Sequence, residues 1–274
     1  MDLGQIFADI IGLEDDLRDT ITIVKIVPFS FVNNQSTAPM IDVIGQVGTA
    51  LSSVAYTLLL FFFFYDFLKK TIMLEFVNWE NVVKLLLRFF VAKFILTNCS
   101  IILEGIAYVA DGMLTGIETE AGQVGAMQRT VDGTQVLIDF ALMGIVDKIF
   151  FFEKYKLIWW GMMLIRLAIL LIVYGRYIEI CIYTAIAPIP LATLASEEAS
   201  HIAKKFLQGY AAVLLQGVLI IIMCYIYVGV SANFLQLSNW ANNAGDLLQY
   251  ILCALVLLFT LLKSGNWAKQ IMGV

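Results

Sequence analysis

Long apolar runs recur along the chain, and their lengths predict helices that cross a membrane. Residues 43–65 contain no charged residue, and the next apolar run, 89–110, carries only two. Residues 157–196, 206–234 and 247–262 form three further apolar runs. A membrane-spanning helix needs about 20 mostly apolar residues. The pattern therefore predicts an all-α fold, a polytopic membrane helix bundle with about five transmembrane helices and additional amphipathic interfacial helices.

The basic residues predict how these helices are oriented, because lysine and arginine are enriched on the cytoplasmic side. Four of them follow the first apolar run: Lys69, Lys70, Lys84 and Arg88. Lys204 and Lys205 follow the third run. Five spans place both groups in the cytoplasm, with the N-terminus outside and the C-terminus in the cytoplasm. A sixth span, made by splitting residues 157–196, would move Lys204 and Lys205 outside.

The alternation of apolar runs and charged segments divides the chain into four parts. Residues 1–42 hold seven acidic and two basic residues, which predicts an extracytoplasmic amphipathic segment. Residues 43–110 hold the first two spans, joined by a cytoplasmic loop at 66–88. Residues 111–156 are predicted to form an extracytoplasmic loop and an interfacial helix, and residues 157–274 the rest of the bundle.

The third apolar run is too long for a simple span. Residues 157–195 would form a helix of about 58 Å, whereas the hydrocarbon core of a bilayer is about 30 Å thick. Pro188 and Pro190 predict a helix break, because each lacks a backbone N–H and restricts the residue before it. We name the charged segment that follows, residues 196–205, the elbow. Its charged residues of interest are Glu197, Glu198, Lys204 and Lys205.

Composition supports a lipid environment and excludes several classes of protein. Hydrophobic residues make up 61% of the chain and charged residues 14%, whereas globular domains average about 45–50% and about 25%. The formal net charge of −5 argues against a surface that binds nucleic acid, because such surfaces are basic. His201 is the only histidine, and the four cysteines lie far apart in apolar runs. With no catalytic, metal-binding or phosphate-binding motif, the sequence predicts no enzyme, metal or cofactor.

Polar residues recur on one face of the second predicted span. This polar stripe consists of Lys93, Thr97, Ser100, Glu104 and Asp111, spaced three, four or seven residues apart. Such spacing places side chains on the same helix face. Charges inside a membrane are costly, so the face is expected to meet protein or water. It predicts either a pore-lining or inter-subunit face, or a packing face whose Lys93 and Glu104 extend toward opposite membrane surfaces.

Other intramembrane residues predict helix packing. Arg166, Arg176 and Glu179 are interpreted as structural anchors, with a role in transport as the alternative. Arg176 and Glu179 are spaced to pair on one helix. Small residues allow helices to approach closely. The packing positions predicted on this basis are Gly45 and Gly48 in the first span and Gly209 and Gly217 in the fourth.

The stretch "AIAPIPLATLASEEASHIAKKFLQGYAAVLLQGVLIIIM", residues 185–223, resembles a region that marks the polytopic inner-membrane subunits of type IV secretion systems of the TrbL/VirB6 type. In that family an apolar helix ends in an Ala-Pro-containing turn. A short charged cytoplasmic connector and a helix rich in glutamine and small residues come next. The corresponding residues here are Ala187, Pro188 and Pro190, then 197–205, then Gly209 and Gln216.

The resemblance implies a non-enzymatic channel or scaffold subunit of a conjugative DNA transfer machine. The implied partners are membrane lipids, further copies of the chain, and other secretion subunits that include a cytoplasmic traffic ATPase meeting the elbow. Single-stranded DNA bound to its relaxase would pass transiently, without sequence-specific binding. The short predicted outer loop fits the cytoplasmic membrane of a single-membrane, Gram-positive bacterium.

Two other classes stay open on the residues alone. A small-solute transporter or ion channel would use the polar stripe as its substrate path. A holin-like lysis protein would form large pores, although such proteins are usually much shorter.

Overall fold

The computed structural model describes residues 38–72, 79–122, 145–234 and 244–274, and within these ranges the fold is helical. No strand occurs in the described ranges, which confirms the predicted all-α class. The helices are α1 (Ala38–Ile72), α2 (Trp79–Thr97), α3 (Cys99–Gly122), α4 (Ile145–Ile186), α5 (Pro188–Ala192), α6 (Ser200–Phe234) and α7 (Ala244–Met272), with a 3-10 turn at Thr193–Ala195.

In the part of the chain that the structure describes, four helices are long and apolar enough to cross a membrane. They are Gly45–Ile72, Cys99–Glu120, Ser200–Tyr227 and Ile251–Met272, in α1, α3, α6 and α7. The polytopic membrane bundle is therefore confirmed, with one span fewer by this criterion than the five predicted. The remaining predicted span falls in α4, whose 42 residues would measure about 63 Å and carry Arg166, Arg176 and Glu179.

The second predicted span, 89–110, is divided between α2 and α3 at Asn98. The Asn98 side chain donates a hydrogen bond from Nδ2 to the Phe94 carbonyl at 2.8 Å, and such local bonds compete with a regular helix. The path nevertheless stays helical, because the Asn98 N–H also donates to the Phe94 carbonyl at 3.0 Å and the Ile102 N–H donates to the Asn98 carbonyl at 3.1 Å.

The observed helices are longer than the predicted apolar runs. Helix α1 continues to Ile72 and α2 begins at Trp79, inside the predicted loop 66–88. Helix α3 continues to Gly122 and α4 begins at Ile145, so both enter the segment 111–156. Residues 1–37 of the predicted N-terminal segment lie outside the described residues. The helices continue beyond the apolar runs because charged side chains near a helix end can keep their charged groups in water. Such residues prolong the helix past the hydrocarbon without interrupting it.

Part of the chain forms a compact unit around the elbow, which we name the elbow unit: the described residues of 27–111, 176–215 and 266–274. Helix α5 and the 3-10 turn pack against both α1 and α2. Ala187, Leu191, Ala192 and Ala195 are fully buried there. The opposite face of α1 exposes large apolar side chains such as Phe61 and Phe64, as expected of a surface in contact with lipid.

The described residues of 112–175 and 216–265 form a second compact unit. In it the Gln216 side-chain amide donates to the Ser264 hydroxyl at 3.1 Å, and that hydroxyl donates to the Leu261 carbonyl at 2.6 Å. Gly265 lies beside Gln216, where an added Cβ would come within 3.4 Å of its Nε2 atom. A polar contact thus joins α6 to α7 in an otherwise apolar core.

Candidate functional site

The proline segment interrupts the helix more gently than the sequence predicts. Helix α4 ends at Ile186, and α5 begins at Pro188, with Ala187 between them still in the αR conformation (φ −49°, ψ −39°). The backbone leaves the helical region only at Ser196, whose φ of −95° and ψ of 141° are extended. The prolines therefore mark the start of a short helical segment, and the chain turns eight residues after Pro188.

A buried carboxylate holds the chain at this turn. Asp66 of α1 is only 3% exposed. Its Oδ1 accepts a hydrogen bond from the Ser196 hydroxyl at 3.0 Å, and its Oδ2 accepts one from the Glu197 N–H at 2.7 Å. The Ser196 oxygen in turn accepts a weak bond from the Ala199 N–H at 3.5 Å. Asp66 therefore fixes the backbone between the 3-10 turn and α6.

Three cations pair with the two glutamates of the elbow. The Glu197 carboxylate accepts hydrogen bonds from Lys70 Nζ at 3.2 Å and Arg88 Nη1 at 3.0 Å. Lys69 pairs with Glu198. The Arg88 and Lys70 cations together lower the pKa of Glu197. These contacts join the end of α1 and the middle of α2 to the elbow.

The elbow remains accessible in spite of these pairs. The side chains of Glu197 and Glu198 are 58% and 57% exposed. Helix α6 begins at Ser200, so Lys204 and Lys205 lie in its first two turns, where both are exposed. The result is a charged surface whose backbone is fixed and whose side chains are open to solvent.

A cavity of about 280 Å³ lies within the elbow unit. Its wall comes from α1, the α2–α3 junction, the α4–α5 junction and α6, and its polar lining residues include Thr49, Ser52, Thr97, Ser100, Glu104 and Thr184. Gly45 and Gly48 also line the cavity, and the space remains open beside them because glycine has no side chain. The hydroxyl of buried Tyr210 lies at the wall and donates to the Leu103 carbonyl at 3.5 Å.

The polar stripe is only partly gathered at this cavity. Thr97, Ser100 and Glu104 line it, whereas Lys93 and Asp111 are not among its lining residues. Lys93 is exposed and Asp111 is partly buried. The stripe therefore has a central part that lines this partly open cavity and two ends that lie elsewhere.

Two of the three predicted anchors, Arg176 and Glu179, contact other helices. Arg176 is 3% exposed and donates to the backbone carbonyls of Val213 at 3.1 Å and Leu214 at 3.5 Å on α6. Glu179 pairs with Lys269 of α7 at 3.8 Å, a contact in addition to the predicted one with Arg176. Arg166 is partly buried.

The predicted packing glycines have different surroundings. An added Cβ at Gly209 would lie 3.1 Å from the Tyr183 hydroxyl, and one at Gly48 would lie 4.0 Å from the Ala185 carbonyl oxygen. Gly45 has no heavy atom within 4 Å of such a Cβ, and Gly217 is buried. Close helix contact is therefore seen at Gly209 and Gly48.

The sequence matches a known protein family. The family described as TrbL/VirB6 plasmid conjugal transfer like protein matches residues 35–188, more than half of the 274 residues. The chain belongs to the TrbL/VirB6 family. No curated protein and no solved structure is significantly similar to the chain.

The family match confirms the resemblance but rests on a different part of the chain. It includes Asp66, the basic residues that pair with the elbow, the polar stripe and Pro188. Of the stretch 185–223, on which the resemblance was based, only residues 185–188 fall inside the match. Membership in the TrbL/VirB6 family is thus independent of the elbow and of α6.

Sequence reasoning missed Asp66, which organises the elbow. A signal for it exists in "FFFFYDFLKK", residues 61–70. There an acid lies near the C-terminal end of a helix, where the helix dipole favours cations. Such an acid calls for hydrogen-bond donors from another part of the chain. The hydroxyls that Thr184 and Ser52 contribute to the cavity carried no comparable signal, because single hydroxyls are common in membrane helices.

Proposed function

We propose that this TrbL/VirB6 family member is a non-enzymatic channel or scaffold subunit of a conjugative type IV secretion machine in the cytoplasmic membrane. The observation that carries the proposal is the elbow, a charged surface held in a fixed position by Asp66, Lys69, Lys70 and Arg88. Its role is to dock the cytoplasmic traffic ATPase against the membrane bundle.

The contacts of the elbow support its cytoplasmic location. Lys69 and Lys70 at the end of α1 pair with Glu198 and Glu197, so residues 70 and 197 lie on the same side of the bundle. The chain between residues 70 and 197 must therefore cross the membrane an even number of times. Two crossings suffice, one outward through the α2–α3 region and one inward through α4. The positive-inside rule makes that side cytoplasmic, with the N-terminus outside and the C-terminus inside.

The proposal includes assembly of several copies around the translocation path. Gly112 and Gly116 of α3 are exposed, with no heavy atom within 4 Å of an added Cβ. A pair of small residues four apart on an exposed membrane helix lets a second helix approach closely. Single-stranded DNA with its relaxase passes near the assembly without sequence-specific contact, and the host is a single-membrane bacterium.

Charge reversal on the elbow tests the docking role. In a conjugative element whose copy of the gene is deleted and supplied in trans, Lys204→Glu/Lys205→Glu is expected to reduce plasmid transfer and ATPase co-purification by at least roughly tenfold, because like charges at an interface cost several kcal/mol. The control, Lys84→Glu/Lys263→Glu, reverses two exposed charges outside the elbow and should retain both.

Two results would contradict the proposal at different levels. Transfer at the parental frequency without the gene would show that the chain is not a required conjugation subunit. Normal ATPase co-purification by the elbow variant, at equal membrane levels, would remove the docking role and leave the family assignment intact.

A further inference from the structure

Several hydroxyls around the cavity of the elbow unit donate their protons to backbone carbonyls. Thr49 and Ser52 of α1 donate to the carbonyls of Gly45 and Gly48, each at 2.8 Å. Thr184 of α4 donates to the Ile180 carbonyl at 2.9 Å. A hydroxyl has one proton and two lone pairs. These three residues therefore have only acceptor capacity left.

The α2–α3 side of the wall has the same character. Thr97 donates to the Lys93 carbonyl at 2.9 Å, so its 3.0 Å hydrogen bond with the Tyr56 hydroxyl is donated by the tyrosine. Glu104, the one charged residue among those that line the cavity, accepts hydrogen bonds when ionised and donates none. The wall thus combines one negative charge with several hydroxyl oxygens. The charge lies on Glu104, in α3, a helix that is long and apolar enough to cross a membrane.

An acceptor-rich wall of this kind selects a cation. Carboxylate and hydroxyl oxygens are suited to hard metal ions. One ion of charge +1 would neutralise Glu104, whereas a divalent ion would leave a net positive charge where charge is costly. No group of three His, Cys, Asp or Glu side chains suited to a metal ion occurs among the described residues, which also disfavours a tightly held divalent ion.

We propose that this cavity binds a hydrated alkali-metal cation, with the Glu104 carboxylate as its counter-ion and the hydroxyls of Ser52, Thr97, Ser100 and Thr184 completing its surroundings. A volume of about 280 Å³ accommodates one ion with several waters, since a water molecule occupies about 30 Å³ in the liquid. The bound ion ties α1, α3 and α4 together. This role is independent of docking at the elbow.

Thermal unfolding of the purified full chain in nanodiscs tests the site. N-methyl-D-glucamine chloride is replaced stepwise by NaCl or KCl at constant ionic strength. The unfolding midpoint is expected to rise with a single saturating dependence on Na⁺ or K⁺, because a ligand that binds only the folded state stabilises it. The salt that acts at the lower concentration identifies the preferred ion.

Matched variants connect the effect to the cavity. Glu104→Gln should abolish the cation-dependent rise, whereas Glu120→Gln, which neutralises an exposed carboxylate of the same helix, should retain it. Ser100→Ala keeps the carboxylate and should raise the half-saturating concentration by roughly threefold to tenfold, the effect of losing one ligand oxygen. Ser100→Ala also carries the test if Glu104→Gln fails to fold.

Three outcomes would overturn the proposal. They are the absence of a rise with either salt, an unchanged rise in Glu104→Gln, and stabilisation by Ca²⁺ or Mg²⁺ alone. If Glu104→Gln does not fold, an unchanged half-saturation in Ser100→Ala would likewise reject the site. The measurement needs no secretion machine, so its failure leaves the proposed function unaffected.

Discussion

Asp66 shows how one side chain can determine the path of the backbone. It lies in the last turns of α1 and binds Ser196 and Glu197, which are 130 and 131 residues later in the chain. A carboxylate that accepts an N–H bond and an O–H bond replaces helical hydrogen bonds lost at the turn. The extended conformation of Ser196 is thus stabilised by contact with α1.

Asp66→Asn is expected to destabilise the protein. The amide retains one acceptor oxygen and places an NH₂ group opposite a donor, so one charge-assisted bond is lost at a cost of about 1.5–3 kcal/mol. Thermal or denaturant unfolding in nanodiscs measures the effect. Glu80→Gln is the control, because its pair with Lys84 is exposed to solvent and such pairs contribute little to stability. Equal stability of the two variants would show that Asp66 does not hold the turn.

The ion pairs of Glu197 predict a pH dependence. Arg88 and Lys70 lower the pKa of Glu197 below its ordinary value of 4.5. The pairs therefore stabilise the folded state fully above pH 4.5, and this contribution is lost as the pH falls through the folded-state pKa. The midpoint difference between the wild type and Glu197→Gln should be constant near neutral pH and shrink in acid. A difference that grows in acid would contradict this assignment.

The sequence predicted the charged residues of the site better than their partners. Glu197, Glu198, Lys204 and Lys205 were identified because charges between apolar runs are conspicuous. The contacts of Glu197 and Glu198 with Lys69, Lys70 and Arg88 depend on how α1 and α2 pack against the elbow, which a one-dimensional pattern does not contain. The pairing of Glu179 with α7 was missed for the same reason, since a spacing of three residues predicts only contacts within one helix.

At the level of elements, the proline segment shows which part of the predicted helix break the sequence contained. The prolines mark where α4 ends, but the turn of the chain comes later, at Ser196. Pro188 and Pro190 lack the N–H groups that would bond to the carbonyls of Thr184 and Ile186. Proline is nevertheless favourable at the start of a helix, and α5 begins at Pro188. The sequence thus predicted an interruption correctly in place, whereas the turn at Ser196 depends on a hydrogen bond from another helix.

Pro188→Ala/Pro190→Ala is expected to join α4 and α5 into one regular helix. The two restored N–H groups would close the hydrogen-bond ladder across Ala187 and displace Ser196 from Asp66. We expect membrane levels close to the wild type with loss of ATPase co-purification and of plasmid transfer. Ile189→Ala is the control, because it shortens a side chain between the prolines without adding a donor. Parental transfer by the double variant would show that the prolines only accommodate packing.

At the level of the whole molecule, the lengths of the apolar runs predicted the class of fold but not where the helices begin and end. Hydrophobic runs locate helices because lipid requires satisfied backbone groups. They do not specify helix ends, since α1 and α3 continue through charged residues to Ile72 and Gly122. The division at Asn98 was also missed, because the apolar run continues on both sides of that residue.

Cysteine labelling tests the predicted topology. In a background with the four native cysteines replaced, Glu120→Cys should react with a membrane-impermeant maleimide on intact cells. Lys205→Cys should react only after permeabilisation. Both positions are exposed in the structure, so a lack of reaction reports the side of the membrane. Labelling of Lys205→Cys from outside would rule out the five-span arrangement with a cytoplasmic elbow.

The buried contact of Arg176 with α6 has a consequence for biogenesis. Its carbonyl partners, Val213 and Leu214, leave the ribosome 37 and 38 residues later. Until they arrive, a guanidinium in the bilayer costs about 2.5–3.5 kcal/mol on insertion scales. Helix α4 is therefore expected to wait beside the translocon or an insertase and to enter the lipid together with α6. If translation stopped after α4 and before α6, Arg176 would lack its carbonyl partners, and α4 would not insert stably into the membrane.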